Sequence, residues 1–108
     1  NNKILKPQSN YIDSKNTYWS YAAKLIDDNI TWKMFRDKFV SLGGDGIYAP
    51  WKLSYNEPYF KKVLSKKIKC KNAEYLQSRI MQFKTNYWDT KDAFKQASIL
   101  IKTIDYFK

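Results

Sequence analysis

The spacing of apolar positions changes period several times along the chain, and each change marks an element. From Tyr18 to Ile26 the residues alternate: Trp19, Tyr21, Ala23 and Leu25 fall on one side, Tyr18, Ser20, Ala22 and Lys24 on the other. That is the pattern of a half-buried strand. Asp27-Asp28-Asn29 supplies turn chemistry. From Thr31 the period becomes helical, because Trp32, Phe35, Phe39 and Leu42 share one helix face. Thr31 suits the N-cap of that helix and Gly43 its C-terminal stop. Gly46 to Ala49 reads as a short second strand, closed by Pro50.

Residues 50 to 58 form a proline-bounded loop. Pro58 opens a short helix through Tyr59, Phe60, Val63 and Leu64. The lysine-rich run from Lys61 to Lys71 reads as a solvated loop. Asn72 to Ile80 reads as a helix with Ala73, Leu76 and Ile80 inward, and Gln82 to Tyr87 as a third strand. Asp89 or Thr90 caps a final helix whose Ala93, Ala97, Leu100, Ile104 and Phe107 recur at helical steps. Residues 1 to 16 are polar and read as an extended lead-in to a domain over 17 to 108.

This order predicts an α+β fold: a two-layer α/β sandwich with a small antiparallel or mixed sheet and helices on one face. The other face keeps aromatic side chains partly exposed, which points to an interface.

Composition sharpens the picture. Hydrophobic residues make up 44% of the 108 positions and aromatics 18%, enough for a packed core and against disorder. Twenty Lys and Arg against ten Asp and Glu leave a net charge of +10. That excess suits a polyanionic partner, but an AT-rich genome also favours lysine, and these lysines are scattered except between 61 and 71. Cys70 stands alone, so no internal disulfide forms and a reducing compartment fits. With no histidine there is no Ser–His–Asp triad, no imidazole base and no ordinary zinc site. Gly43-Gly44-Asp45-Gly46 lacks the spacing and the Lys-Ser/Thr of a phosphate-binding P-loop. No apolar run is long enough to span a bilayer and no signal peptide is visible, so a cytoplasmic protein without a membrane partner is expected. The chain opens Asn1-Asn2-Lys3 rather than with Met, as an excised piece would.

Several ordered segments carry a family resemblance. Leu5-Lys6-Pro7-Gln8 precedes Tyr18-Trp19-Ser20-Tyr21-Ala22-Ala23-Lys24-Leu25. The stretch from Gly43 to Leu53 (Gly-Gly-Asp-Gly-Ile-Tyr-Ala-Pro-Trp-Lys-Leu) leads into Ser54-Tyr55-Asn56-Glu57-Pro58-Tyr59-Phe60, and Gln82 to Tyr87 precedes the capped last helix. Together they resemble the C-terminal small domain of DegT/DnrJ/StrS-type nucleotide-sugar aminotransferases. The resemblance implies a homodimeric parent enzyme that uses pyridoxal phosphate (PLP) to aminate a nucleotide-linked keto-sugar for polysaccharide or glycoconjugate synthesis. The cofactor and its Schiff-base lysine would sit in a large domain of the same polypeptide, so no catalytic residue is expected in this chain. The small domain would close one wall of the cleft with its loop at 48 to 57. On that reading Tyr48 lies in the loop, Trp51 and Tyr55 stack on a sugar or base, Lys52 attracts a phosphate, and Asn56 and Glu57 accept sugar hydroxyls. Plainer roles stand beside these: Trp51 and Tyr55 packed on Pro50 and Pro58, Lys52 solvated, Glu57 capping the next helix. Many members carry a histidine in this loop; here Lys52 to Glu57 contains none. The competing readings are a free-standing basic module that binds nucleic acid or an acidic protein and, more weakly, a bacterial effector or immunity-type interaction domain.

Overall fold

The computed structural model describes residues 3–64, 66 and 68–108. Its elements run in the order β1 (Leu5–Pro7), β2 (Tyr21–Leu25), α1 (Trp32–Ser41), a 3-10 turn (Ser54–Asn56), α2 (Pro58–Val63), α3 (Lys71–Gln77), β3 (Ile80–Phe83) and α4 (Thr90–Tyr106). The strands form one antiparallel sheet in the order β1-β2-β3. The fold is α+β.

The strand alternation sets which face is buried. Leu5 pairs with Leu25, Ala23 with Met81 and Tyr21 with Phe83, and all but the half-buried Tyr21 belong to the buried core. Against this face lie Phe35 and Phe39 of α1 and Ile99 of α4, all buried. The rings interlock. Phe83 meets Phe39 edge-on at 5.6 Å between centroids and Phe35 edge-on at 6.3 Å, while Phe35 stacks on Phe107 at 5.8 Å. Edge-on and offset geometries are those that aromatic quadrupoles favour. The opposite face carries Lys6, Ala22, Lys24, Ile80 and Gln82. The Lys24 amine lies 5.6 Å from the Tyr75 ring of α3, which partly covers that side.

The ends of α1 follow the cap chemistry of their residues. Thr31 accepts a hydrogen bond from the Met34 N–H. At the other end Gly44 N–H donates to Phe39 C=O and Gly43 N–H to Val40 C=O, each at 2.9 Å. This Schellman pattern closes a helix through a left-handed residue, and Gly43 takes it with φ +93°. Gly44 is held for a different reason: a Cβ there would run into the ring of Phe39.

Several elements differ from the sequence expectation. Residues 5–7 of the lead-in form an edge strand, and Ile4 and Leu5 are buried. The segment 46–49 contributes a single bridge, Tyr48 with Gln82, rather than a strand. Gly46 at φ +106° starts it and Pro50, lacking an N–H, ends it, so one residue remains to pair. The strand expected at 82–87 starts at Ile80 and stops at Phe83. Ile80 therefore belongs to the sheet and not to α3, because Arg79 C=O already accepts from Leu25 N–H. Trp19 lies before β2, outside the strand expected from Tyr18 to Ile26, and is 89% exposed. On α4 the buried residues are Ile99 and Thr103, with Ala97 exposed. Leu100, Ile104 and Phe107 of the expected stripe pack against the core beside them, and the buried Thr103 hydroxyl is satisfied by donating to Ile99 C=O at 2.8 Å.

The chain exposes 8576 Å², where a compact monomer of its 12.9 kDa exposes about 6,300 Å². Its radius of gyration is 16.2 Å against about 13 Å for a compact domain of this length. The core is real but shallow, and many aromatic side chains stay outside it.

Phe35 has no exposed surface. Phe35→Ala is expected to lower unfolding stability by about 3–5 kcal/mol, and Trp19→Ala by less than about 0.5 kcal/mol, both read from urea titrations. Similar losses for the two would contradict this core.

Candidate functional site

The loop from 48 to 57 is anchored at three places. Tyr48 exchanges two backbone hydrogen bonds with Gln82 at 3.0 Å each. Gln77 Nε2 donates to the Trp51 C=O at 2.7 Å. The 3-10 turn at 54–56 is closed by Asn56 N–H to Leu53 C=O and Glu57 N–H to Ser54 C=O. These ties hold Tyr48 and Trp51 against the sheet edge, where their rings stack at 6.4 Å with 22° between planes. Both stay more than half exposed, at 60% and 59%.

Around that stack opens a cleft of about 500 Å³ lined by Trp19, Ser20, Gln82, Lys84 and Asn86 as well as the two rings. Four aromatic side chains (Trp19, Tyr48, Trp51 and Phe83) with two amides, two hydroxyls and one ammonium can receive a flat, polar ring that carries an anionic group. The rings take its apolar face, the amides its hydroxyls and Lys84 an anionic group. No carboxylate lines this cleft, and its titratable side chains are Tyr48 and Lys84.

The six residues nominated from sequence separate into three settings. Tyr48 and Trp51 share the cleft just described. Tyr55 and Asn56 face another of about 460 Å³, with Lys61, Lys66, Lys69 and Glu74. There Tyr55 Oη donates to Glu74 Oε1 at 3.1 Å, and burial, then this hydrogen bond, hold the Tyr55 hydroxyl above its ordinary pKa. Lys52 and Glu57 pair with each other at 3.2 Å, both near half exposed, a surface pair of small energetic weight. Glu57 occupies the N-cap position of α2 without a side-chain cap bond. Trp51 meets Tyr48 and is not sealed against Pro50. The residues missed were Trp19, Gln82, Lys84 and Asn86. They lie far from the loop in sequence on either side: the Tyr48–Gln82 bridge brings the loop to β3, and β2–β3 pairing with the Thr85 bond to the Trp19 carbonyl brings Trp19 there.

A third cleft of about 420 Å³ opens between α4 and the segment after β3. Its walls include Tyr18, Tyr21, Phe39, Phe83 and Leu100. Tyr18 sits at φ +49°, an unfavourable conformation for a bulky side chain. Thr85 holds it there by sharing its hydroxyl with the carbonyls of Tyr18 and Trp19 at 2.8 and 2.9 Å. Gln96 ties the rim together, donating to Gly43 C=O and accepting from Asp45 N–H. Burial, and then the hydrogen bond to the Asp45 carboxylate, push the Tyr87 hydroxyl up to about 12.

No family model, curated protein or solved structure matches this chain. Its chemistry therefore rests on the clefts themselves. Among the described residues every lysine is exposed or half-buried, and no three His, Cys, Asp or Glu side chains gather to hold a metal. These residues alone do not form a PLP cradle, which needs a lysine enclosed beside the cofactor. No described helix is long and apolar enough to cross a membrane.

Tyr87 titrates above an unfolded tyrosine, so its contribution to stability is complete below pH 10 and disappears as the pH rises toward about 12. An ultraviolet titration is expected to show Tyr87 among the late-ionising tyrosines, and Asp45→Asn to bring it earlier. An unchanged late tyrosine in Asp45→Asn would remove Asp45 as a cause.

Proposed function

We propose that this chain is the small domain of a PLP-dependent nucleotide-sugar aminotransferase, and that its Tyr48–Trp51 cleft forms the wall against which the nucleotide sugar rests. The observation that supports this reading most directly is the content of that cleft: stacked aromatic rings, amides and one lysine, with no carboxylate. Such a surface selects and orients a polar ring and leaves the bond-making to groups supplied from elsewhere. The surplus exposed surface also suits a domain that another domain of the same polypeptide covers.

The catalytic lysine and the PLP then belong to the large domain, in a homodimeric cytoplasmic enzyme. When bound there, the cofactor supplies the amino-group transfer. The contribution of this chain is shape: Trp51 and Tyr48 take the face of the sugar or base, Gln82 and Asn86 offer amides to hydroxyls, and Lys84 attracts phosphate. Tyr55 and Asn56 act from the neighbouring cleft, where Lys61, Lys66 and Lys69 make a second anionic foothold.

The test uses the native protein from its source cells. Its intact mass and visible absorbance are measured before and after borohydride. A polypeptide much heavier than 12.9 kDa with a visible band that borohydride abolishes is the expected result. A colourless protein of this chain's own mass would overturn the reading, and steeply salt-dependent nucleic-acid binding would then support the basic-module alternative.

A further inference from the structure

Helix α2 puts none of its residues into the core, although half of them are large and apolar. Helical spacing sets Tyr59, Phe60 and Val63 on one side and Lys61 and Lys62 on the other. Tyr59 is 69% exposed, Phe60 43% and Val63 56%. So short a helix draws little stability from its own hydrogen bonds, and an apolar side facing water adds none. Beyond its end, the exposed Leu64 and Ile68 share a cleft with Lys61, Lys66 and Lys69. Lys61 belongs to both the helix and the cleft, so the two join into one surface. The single carboxylate of the cleft, Glu74, accepts from the Tyr55 hydroxyl. From Pro58 to Ala73 the sequence holds six lysines and no acidic residue.

We propose that this surface lies against an anionic lipid bilayer. Tyr59, Phe60 and Val63 enter the boundary between headgroups and acyl chains, and the flanking lysines meet the lipid phosphates and carboxylates. Charge selects a partner of negative sign. The side chains between the lysines select which one. Nucleic acid rewards flat rings that stack on bases, whereas Val63, Leu64 and Ile68 are aliphatic and gain by leaving water for hydrocarbon. Lysine stems lie along such an apolar surface while their ammonium groups stay at headgroup level. No described helix is long and apolar enough to cross a bilayer, but a contact parallel to the surface needs no spanning length. The sequence expectation of no membrane partner rested on the lack of a span and of a signal peptide, neither of which this contact requires. Nor does it rest on the aminotransferase reading: vesicles offered without any nucleotide sugar separate the two.

Flotation of the intact chain tests it, with vesicles of phosphatidylcholine alone and of phosphatidylcholine and phosphatidylserine in equal parts. The chain is expected to float with the mixed vesicles and to stay below with phosphatidylcholine alone. Lysine near an anionic surface is worth roughly fivefold in partitioning, so Lys61→Gln with Lys62→Gln is expected to lower it about twenty-five-fold. Phe60→Ala with Val63→Ala, which keeps the charge and the helix propensity, is expected to lower it about tenfold. Phe94→Ala, at a 72% exposed ring on α4, is expected to leave it unchanged. All these positions are exposed, so the variants are expected to keep the parent's thermal midpoint. Flotation that survives the Phe60 and Val63 changes would mark a purely electrostatic surface, such as one for nucleic acid, and overturn the lipid assignment. A chain that never floats, that floats equally with both vesicles, or that loses as much through Phe94→Ala would overturn it too.

Discussion

The ring of Phe83 holds the two layers together. It projects from the end of β3 into the angle between α1 and α4, edge-on to Phe35 and Phe39 and within 6.2 Å of Tyr21. Through Phe35 the contact continues to Phe107 at the end of α4. A sheet of three short strands has little stability of its own, so its position rests on these few aromatic contacts. The Schellman turn at Gly43 and the tight approach of Gly44 to Phe39 matter for the same reason. They fix where α1 stops and where the chain turns back toward the sheet edge.

That edge is where the functional surfaces appear. Because the core is concentrated under one face, the chain leaving α1 must cross the rim, where it lays Tyr48 against Gln82 and Trp51 beside it. The segment after β3 leaves the ladder at the same rim, with Thr85 fastening the strained Tyr18 backbone. Two clefts of different character therefore lie on either side of Lys84 and Phe83, one polar and aromatic, the other apolar.

Lysine enrichment has less influence on the architecture than its abundance suggests. Lys24 and Arg79 lie over the Tyr75 ring, and Arg79 also meets Asp28 at 2.8 Å, so these cations serve packing on the sheet's second face. Lys38 lies 3.8 Å from the centre of the Tyr106 ring and helps join α1 to α4. Lys61, Lys66 and Lys69, by contrast, converge on one cleft. Net charge alone did not distinguish these roles.

The local elements were legible because their causes are local. Thr31 caps α1, Gly43 ends it, Asp89 caps α4 through the Lys91 N–H, and the alternation from Tyr21 to Leu25 sorts one strand's faces. Period and cap chemistry act within a few residues, so the residue order reveals them, and with them the α+β class. The rest needed contacts between distant residues. Leu5 becomes a strand residue only because Leu25 is there to pair with it. The 46–49 segment has strand-like residues but room for one bridge, and Ile99 and Thr103 of α4 are buried beside the apolar stripe that the periodicity shows. The grouping of Tyr48 and Trp51 with Trp19 and Lys84, and their separation from Tyr55 and Asn56, was likewise a tertiary outcome. Sequence by itself determined the helices with their caps, the strand at Tyr21–Leu25 and the nominated loop. Only the tertiary structure decided which of its side chains share a cleft, because a cleft is made by segments whose meeting no local pattern encodes.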